Sequence, residues 1–303
     1  MIRRILLASA SALALAGTAF AADLPSRAPP PVYLPPPPTW TGFYIGINAG
    51  YEWGASNSVN TATANLDPGN GLVGETEYNT DSAALATRSV PVSSSGFIGG
   101  GQIGYNYQFA PSWVAGLEAD IDGVAASHSK TAVFSQAITS FAASPIDQTM
   151  TSTKNINYLG TVRGRLGWLI TPTLLVYGTG GLAYGGANAS TSITQFVENN
   201  PIFLPNPYGS FGRVSNTRVG WTAGGGGEWM FLPNWSVKVE YLYYDLGSVT
   251  YGLSPLANVS TFGGGTLFTL GAPVSRTRFN GNVVRAGLNY HFNWGGAPVV
   301  ARY

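Results

Sequence analysis

The sequence predicts an all-β chain folded as an eight-stranded antiparallel transmembrane β-barrel with short periplasmic turns and four long extracellular loops, and three observations carry that prediction. The first is a two-residue period in Asn155 to Ile170, NINYLGTVRGRLGWLI. Asn155, Asn157, Thr161, Arg163 and Arg165 fall on one face, and Ile156, Tyr158, Val162, Leu166, Trp168 and Ile170 on the other. Such a period belongs to a strand. An aromatic-rich apolar face opposite an arginine face, repeated around a ring, puts lipid outside and a polar interior inside. The second observation is that the connections alternate between tight and long. The third is composition: 303 residues with 10% charged, 13% aromatic, 40 Gly and no Cys suit one large β domain.

Residues 1–21, MIRRILLASASALALAGTAFA, read as a signal peptide, with a basic start at Arg3 and Arg4, an apolar run to about Ala16, and Ala19-Phe20-Ala21 as the cleavage site. The run is shorter than the roughly 20 residues that a spanning helix needs. Two of the fifteen basic residues leave with it, so thirteen face fourteen acidic ones, which disfavours nucleic acid as a partner. With no cysteine, disulfides, thiolate metal sites, cysteine catalysis and lipoprotein anchoring are excluded. No apolar run of 18 residues follows, so a membrane location requires a closed sheet that satisfies its own backbone.

Residues 22–39 contain DLPSRAPPPVYLPPPPT, too rich in proline to pair in a sheet, and read as a periplasmic polyproline spacer. A tether is its plain role; docking to another envelope component is the alternative. The barrel is expected over 40–292 and a C-terminal tail over 293–303.

Eight strands are expected near Gly42–Trp53, Gly96–Phe109, Trp113–Gly123, Asn155–Ile170, Thr173–Gly185, Asn216–Phe231, Ser236–Gly247 and Phe279–Phe292. Three connections are tight and carry proline: Ala110-Pro111-Ser112, Thr171-Pro172 and Leu232-Pro233-Asn234. Four are long and rich in Ser, Thr, Asn and Gly, at about 54–95, 124–154, 186–215 and 248–278. Short periplasmic turns with long outer loops are the asymmetry of an outer-membrane barrel. Phe109 and Trp113, then Phe231 and Trp235, flank two of the turns as an interfacial girdle; ordinary aromatic packing beside a turn is the alternative.

Carried through every strand, the alternation assigns an outward face that includes Phe43, Ile45, Ile47, Tyr51, Phe97, Ile103, Leu117, Ile121, Val176, Leu182, Val219, Trp221, Val237, Val239, Val284 and Leu288, with no ionised residue. A charge at the bilayer midplane would cost about 2–4 kcal/mol. The inward face collects six acids, Glu52, Glu118, Asp120, Asp122, Glu228 and Glu240, and five bases, Arg163, Arg165, Arg218, Lys238 and Arg285, with Gln102, Asn106, Asn289 and His291. An eight-stranded lumen is only wide enough to be filled by side chains, and unpaired charges are costly there. An ion-pair network plugging the lumen is therefore expected, and a narrow gated pathway is the alternative. Strand glycines such as Gly224 to Gly227 suggest room for bulky interior neighbours, or else a smooth contact patch.

Gly99-x-Gly101-x-x-Gly104 matches a dinucleotide fingerprint, and Gly178-x-Gly180-x-x-Ala183 a looser form, but each continues as strand and opens no helix to hold pyrophosphate. His128 and His291 are the only histidines, too few for a histidine metal site. Glu118, Asp120 and Asp122 share a face but are more simply the partners of Arg163 and Arg165. No catalytic, cofactor or metal site is expected.

The last strand, Arg285-Ala286-Gly287-Leu288-Asn289-Tyr290-His291-Phe292, resembles the signal that the barrel-assembly machinery reads, with Gly287, Tyr290 and Phe292 at its key positions. With Trp40-Thr41-Gly42-Phe43-Tyr44-Ile45-Gly46 after the spacer and NYHFNWGGAPVVARY at the end, the chain resembles the alphaproteobacterial outer-membrane immunogenic proteins, small opacity-protein-like barrels often grouped with porins. The resemblance implies an abundant, surface-exposed, antigenic barrel without catalytic residues. It implies as partners the lipid and lipopolysaccharide of the outer membrane, and the assembly machinery during biogenesis. Eleven residues follow Phe292, so either the signal tolerates a tail or Tyr303 supplies the terminal aromatic.

The function expected is that of a structural surface protein whose loops are open to interaction or adhesion. The alternative is a narrow porin-like channel for small solutes. A soluble periplasmic sandwich is disfavoured by the uniformly apolar outward face.

Overall fold

A computed structural model describes residues 39–66, 75–137, 145–197, 207–259 and 267–292. The expected signal peptide, nearly all of the spacer and the tail lie outside the described residues. Eleven strands and one helix follow in order: β1 (Gly42–Gly54), β2 (Ser58–Asn65), α1 (Glu75–Ala86), β3 (Arg88–Pro91), β4 (Ser95–Ala110), β5 (Trp113–Ala137), β6 (Pro145–Thr171), β7 (Leu174–Val197), β8 (Tyr208–Leu232), β9 (Trp235–Gly252), β10 (Leu256–Val259) and β11 (Leu267–Phe292). From β1 the antiparallel pairing runs through β4, β5, β6, β7, β8 and β9 to β11, and β11 pairs with β1 from Phe43↔Phe292 to Gly54↔Gly281. β2, β3 and β10 add to the upper part of this wall.

The expected outward face is largely the observed one. Val162, Leu166, Trp168 and Ile170 stand outward on β6, 50–62% exposed, with Arg163 and Arg165 buried between them. Ile156 departs from the expectation: it is 4% exposed, while Asn157 faces outward. The cause is a register irregularity, between Ile156 and Leu159 against β7 and between Gly123 and Ala126 against β5. One extra residue reverses which face each later side chain occupies. Above it Ile146, Met150 and Lys154 therefore point inward.

The four long connections are mostly not loops. β5 continues to Ala137, β6 begins at Pro145, β7 reaches Val197 and β8 begins at Tyr208. Beyond the lipid the outward face need only be polar, and threonine remains a good strand former there. Thr131 and Thr151, directly opposite in register, share a hydroxyl hydrogen bond of 2.9 Å.

Helix α1 fills the upper interior. Tyr78, Ser82, Leu85 and Ala86 share one helical face and are buried. Ser82 Oγ donates to Gln195 Oε1 at 2.5 Å, while Gln195 Nε2 donates back to the Ser82 carbonyl at 2.9 Å. Gln148 Nε2 donates to the Leu85 carbonyl at 3.0 Å. Three apolar clusters thus stack inside the wall. The lowest contains Trp40, Val114, Leu175 and Met230; a middle one contains Ile98, Leu242, Phe279 and Val283; the uppermost contains Tyr78, Leu85, Met150 and Ile193.

Candidate functional site

Strand parity aims charged side chains into one layer of the interior. β5 carries Glu118, Asp120 and Asp122 at two-residue spacing, and the register sets Arg163 of β6 opposite Glu118. Arg163 reaches Glu118 at 2.5 Å, Asp120 at 2.8 Å and Glu240 at 3.0 Å. From β11, Arg285 reaches Asp122 at 2.6 Å, Asp120 at 2.7 Å and Glu240 at 2.9 Å. Lys238 Nζ donates to both oxygens of Glu118 at 2.7 and 2.8 Å. Arg165 pairs with Glu228 at 2.5 Å. All of these side chains are buried.

Neutral groups tie the layer together. Tyr44 OH donates to Glu118 at 2.6 Å and accepts from Arg165 Nη1 at 3.0 Å. The Arg165 guanidinium lies 4.2 Å from the centre of the Tyr177 ring, whose hydroxyl donates to Glu240 at 3.0 Å. Asn289 Nδ2 and Ser236 Oγ donate to Glu228 at 2.8 and 2.6 Å. His291 Nε2 is 2.8 Å from Ser236 Oγ. Gln102 donates to Asn289. Tyr44 and Tyr177 were missed by the sequence reading, although parity places both opposite outward neighbours, Phe43 and Val176. A Cβ on Gly104 would fall 2.3 Å from the Tyr44 ring, so this glycine makes room for a bulky interior side chain.

Two expected members stand apart from the layer. Glu52 has no cation within ion-pair distance among the described residues; it accepts from Tyr244 OH at 2.5 Å, higher in the interior. Arg218 is half-buried and donates to the Ser248 carbonyl at 3.2 Å. The β8–β9 pairing runs no higher than Trp221↔Asp245, and Arg218 reaches across to β9 above that point instead of into the lumen. Of the expected assembly-signal residues, Gly287 sits opposite Lys238 in register, and Tyr290 packs edge-on against Phe292 and Trp235.

Below the layer, Trp40 is 1% exposed, and its indole N–H donates to the Pro172 carbonyl at 3.0 Å. Above it, Lys154 donates to the carbonyls of Ser56 and Arg278, both at 2.6 Å, and lies 5.3 Å from the centre of the Phe279 ring. Burial lowers the Lys154 pKa from the usual 10.5 to about 8, partly offset by the Glu52 carboxylate. Within the charged layer, Asn106, Asp120 Oδ1, Asp122 Oδ1 and Arg165 Nε are buried without a hydrogen-bond partner among the described residues.

The family model for the outer membrane protein beta-barrel domain matches residues 6–292. A 31 kDa outer-membrane immunogenic protein of Brucella melitensis biotype 1 is 31% identical over 292 residues, covering 96% of this chain and 100% of its own length. A 25 kDa outer-membrane immunogenic protein of Brucella abortus biovar 1 is 26% identical over 256 residues, 84% of this chain and 89% of its own. Among solved structures, Ail, the attachment invasion locus protein of Yersinia pestis, aligns over 83% of this chain and 99% of its own, with 13% identity and a TM-score of 0.28.

Proposed function

The chain belongs to the outer membrane protein beta-barrel family, among the alphaproteobacterial outer-membrane immunogenic proteins, and from that premise we propose that it is a structural, surface-exposed barrel with a closed lumen. Its place is the bacterial outer membrane. The membrane unit in this reading has eight strands, β1, β4 to β9 and β11, supported by the pairing that leads from β1 back to β1. Its tight turns face the periplasm, and its tall outer portion meets the environment, available for surface interaction or adhesion. Lipopolysaccharide surrounds the wall, and the assembly machinery reads Gly287, Tyr290 and Phe292 during biogenesis.

One observation carries the closed lumen: the buried ion pairs lie between apolar clusters, with Trp40 below and Phe279 above. A solute would have to part arginine–carboxylate contacts in a low-dielectric interior, which is costly. The carboxylates of the charged layer are held by bases, and the reading is non-enzymatic. A narrow solute channel is the second reading, supported by the buried polar atoms of Asn106, Asp120 and Asp122 that lack a hydrogen-bond partner among the described residues, a setting that suits ordered water. Single-channel recording of the refolded protein in a planar bilayer, beside Arg163→Glu, tests the two. The closed reading expects silence from inserted wild-type protein; stable conductance that Arg163→Glu alters would replace it with the channel.

A further inference from the structure

The pairing that closes the wall at the charged layer does not close it above. β5 pairs with β6 as far as Ala137↔Pro145. On its other side, the pairing of β5 with β4 ends at Phe97↔Ala125. β3, which precedes β4 in the chain, pairs with β2 alone, from Ser58↔Pro91 to Thr61↔Arg88. Above Ala125, β5 therefore presents an edge of main-chain N–H and C=O groups without a backbone partner among the described residues. β3 spans only Arg88–Pro91, too short to cover an edge that runs to Ala137, roughly 40 Å at about 3.4 Å per residue.

A bare edge is a template for another strand, and its charges decide which one. Lys130 stands exposed in the lower half of this edge. Two copies meeting edge to edge would bring two lysines into one interface and repel, whereas a strand with carboxylates is attracted. Arg88 of β3 adds a second cation: its guanidinium lies 5.5 Å from the centre of the Phe134 ring, and its Nε is buried without a hydrogen-bond partner among the described residues. Neither Lys130 nor Arg88 has a carboxylate within ion-pair distance among the described residues, and Asp81 of α1 already accepts from Gln136 Nε2 at 2.9 Å. Asp147 stands opposite Ser135 near the top of the edge, so the positive charge is concentrated between Lys130 and Phe134. These two positions share a face of β5 and lie about 13 Å apart in an extended chain.

On the premise that the outer portion meets the environment, we propose that the free edge of β5 accepts an extended acidic peptide of a partner protein as an added strand. The row of main-chain groups selects the backbone form, because another extended chain meets donors and acceptors at ladder spacing. Carboxylates four positions apart on that chain face Lys130 and Arg88 and set its register.

The test uses the full chain refolded in detergent micelles and titrated with a capped synthetic peptide of threonine and valine that carries glutamate at every fourth position. The same peptide with alternate amides N-methylated should bind roughly tenfold more weakly, because it loses the donors of one edge. Lys130→Gln should weaken binding of the glutamate peptide roughly threefold and Lys130→Glu roughly tenfold, as one exposed charge pair is lost and then reversed. Lys130→Glu should also bind the peptide with lysine in place of glutamate better than wild type does. Arg213→Glu, an equal charge change at an exposed position on β8, should alter nothing. No binding of the glutamate peptide, equal binding of its N-methylated form, or an equal loss with Arg213→Glu would overturn the site. A dimer in micelles that the peptide does not dissolve would give the edge to a second copy and overturn the acidic partner. Labelling of Ser135→Cys on intact cells by an impermeant maleimide checks the premise separately. Peptide binding without label defeats the surface role and leaves the edge site standing, and label without peptide binding defeats the edge site alone.

Discussion

The guanidinium of Arg163 lies 2.5 Å from the carboxylate of Glu118, the residue directly across from it in the β5–β6 register. The contact joins neighbouring strands, while Glu240 on β9 ties the same arginine across the interior. Replacing Arg163 by methionine leaves three buried carboxylates short of a partner. Loss of one member of such a set costs about 3–5 kcal/mol. Urea unfolding in micelles should show a midpoint lowered accordingly, with Arg163→Lys in between because it keeps the charge and loses the fork.

Trp40 should be needed for stability but not for closure. Truncating a buried tryptophan to alanine costs about 3–5 kcal/mol, and here it also strands the Pro172 carbonyl. Thermal unfolding of Trp40→Ala should fall by that margin while bilayer recordings stay silent, since Trp40 meets the layer above through the His291 ring and not through an arginine–carboxylate pair. Conductance from this variant would mean that the seal lies at the periplasmic end.

Lys154 predicts a pH dependence with a defined sign. Its folded pKa is about 8, below the unfolded value near 10.5, so between these values the unfolded chain binds the extra proton. Stability should therefore rise from about pH 8 to about pH 10.5, and below pH 8 the full penalty of the buried ammonium remains. Unfolding midpoints measured across that range should show the rise in wild type and a flat profile in Lys154→Met.

Gln195 should hold α1 in place. Its side chain both accepts from and donates to Ser82 and donates to Gln148 at 2.7 Å. Leucine at this position leaves the buried Ser82 hydroxyl and Gln148 Oε1 without Gln195 as partner, at about 1–3 kcal/mol. Hydrogen exchange of the α1 amides should quicken in Gln195→Leu, with the β5 and β6 amides beside Glu118 and Arg163 unchanged. Equal quickening in both regions would mean that the helix and the wall open together.

Inside and outside were legible wherever the two-residue count ran unbroken, as from Thr161 to Ile170, because lipid admits one kind of side chain and a narrow lumen another. The count failed at Ile156, where a bulge adds a residue that no residue type announces. The upper strands read as loops because sheet above the lipid needs no continuous apolar outward face and shows only scattered residues such as Val133 and Phe211, and Ser and Thr runs look alike in either state. Helix α1 was hidden for a related reason: its buried face includes Ser82 and Asn79, so composition gives no apolar stripe. Arg218 was assigned by parity, but parity is silent on where a ladder ends.

The bulge at Asn157 divides β6 into two independently counted frames. In the lower frame a one-residue insertion would turn Arg163 and Arg165 toward hydrocarbon, at about 2–4 kcal/mol each near the midplane. In the upper frame the count ends at the bulge before it reaches the membrane. A one-residue insertion above the bulge would instead turn Met150 and Lys154 outward and leave Arg163 and Arg165 in phase, so a length change in the outer half costs packing there and spares the charge pairing of the embedded half.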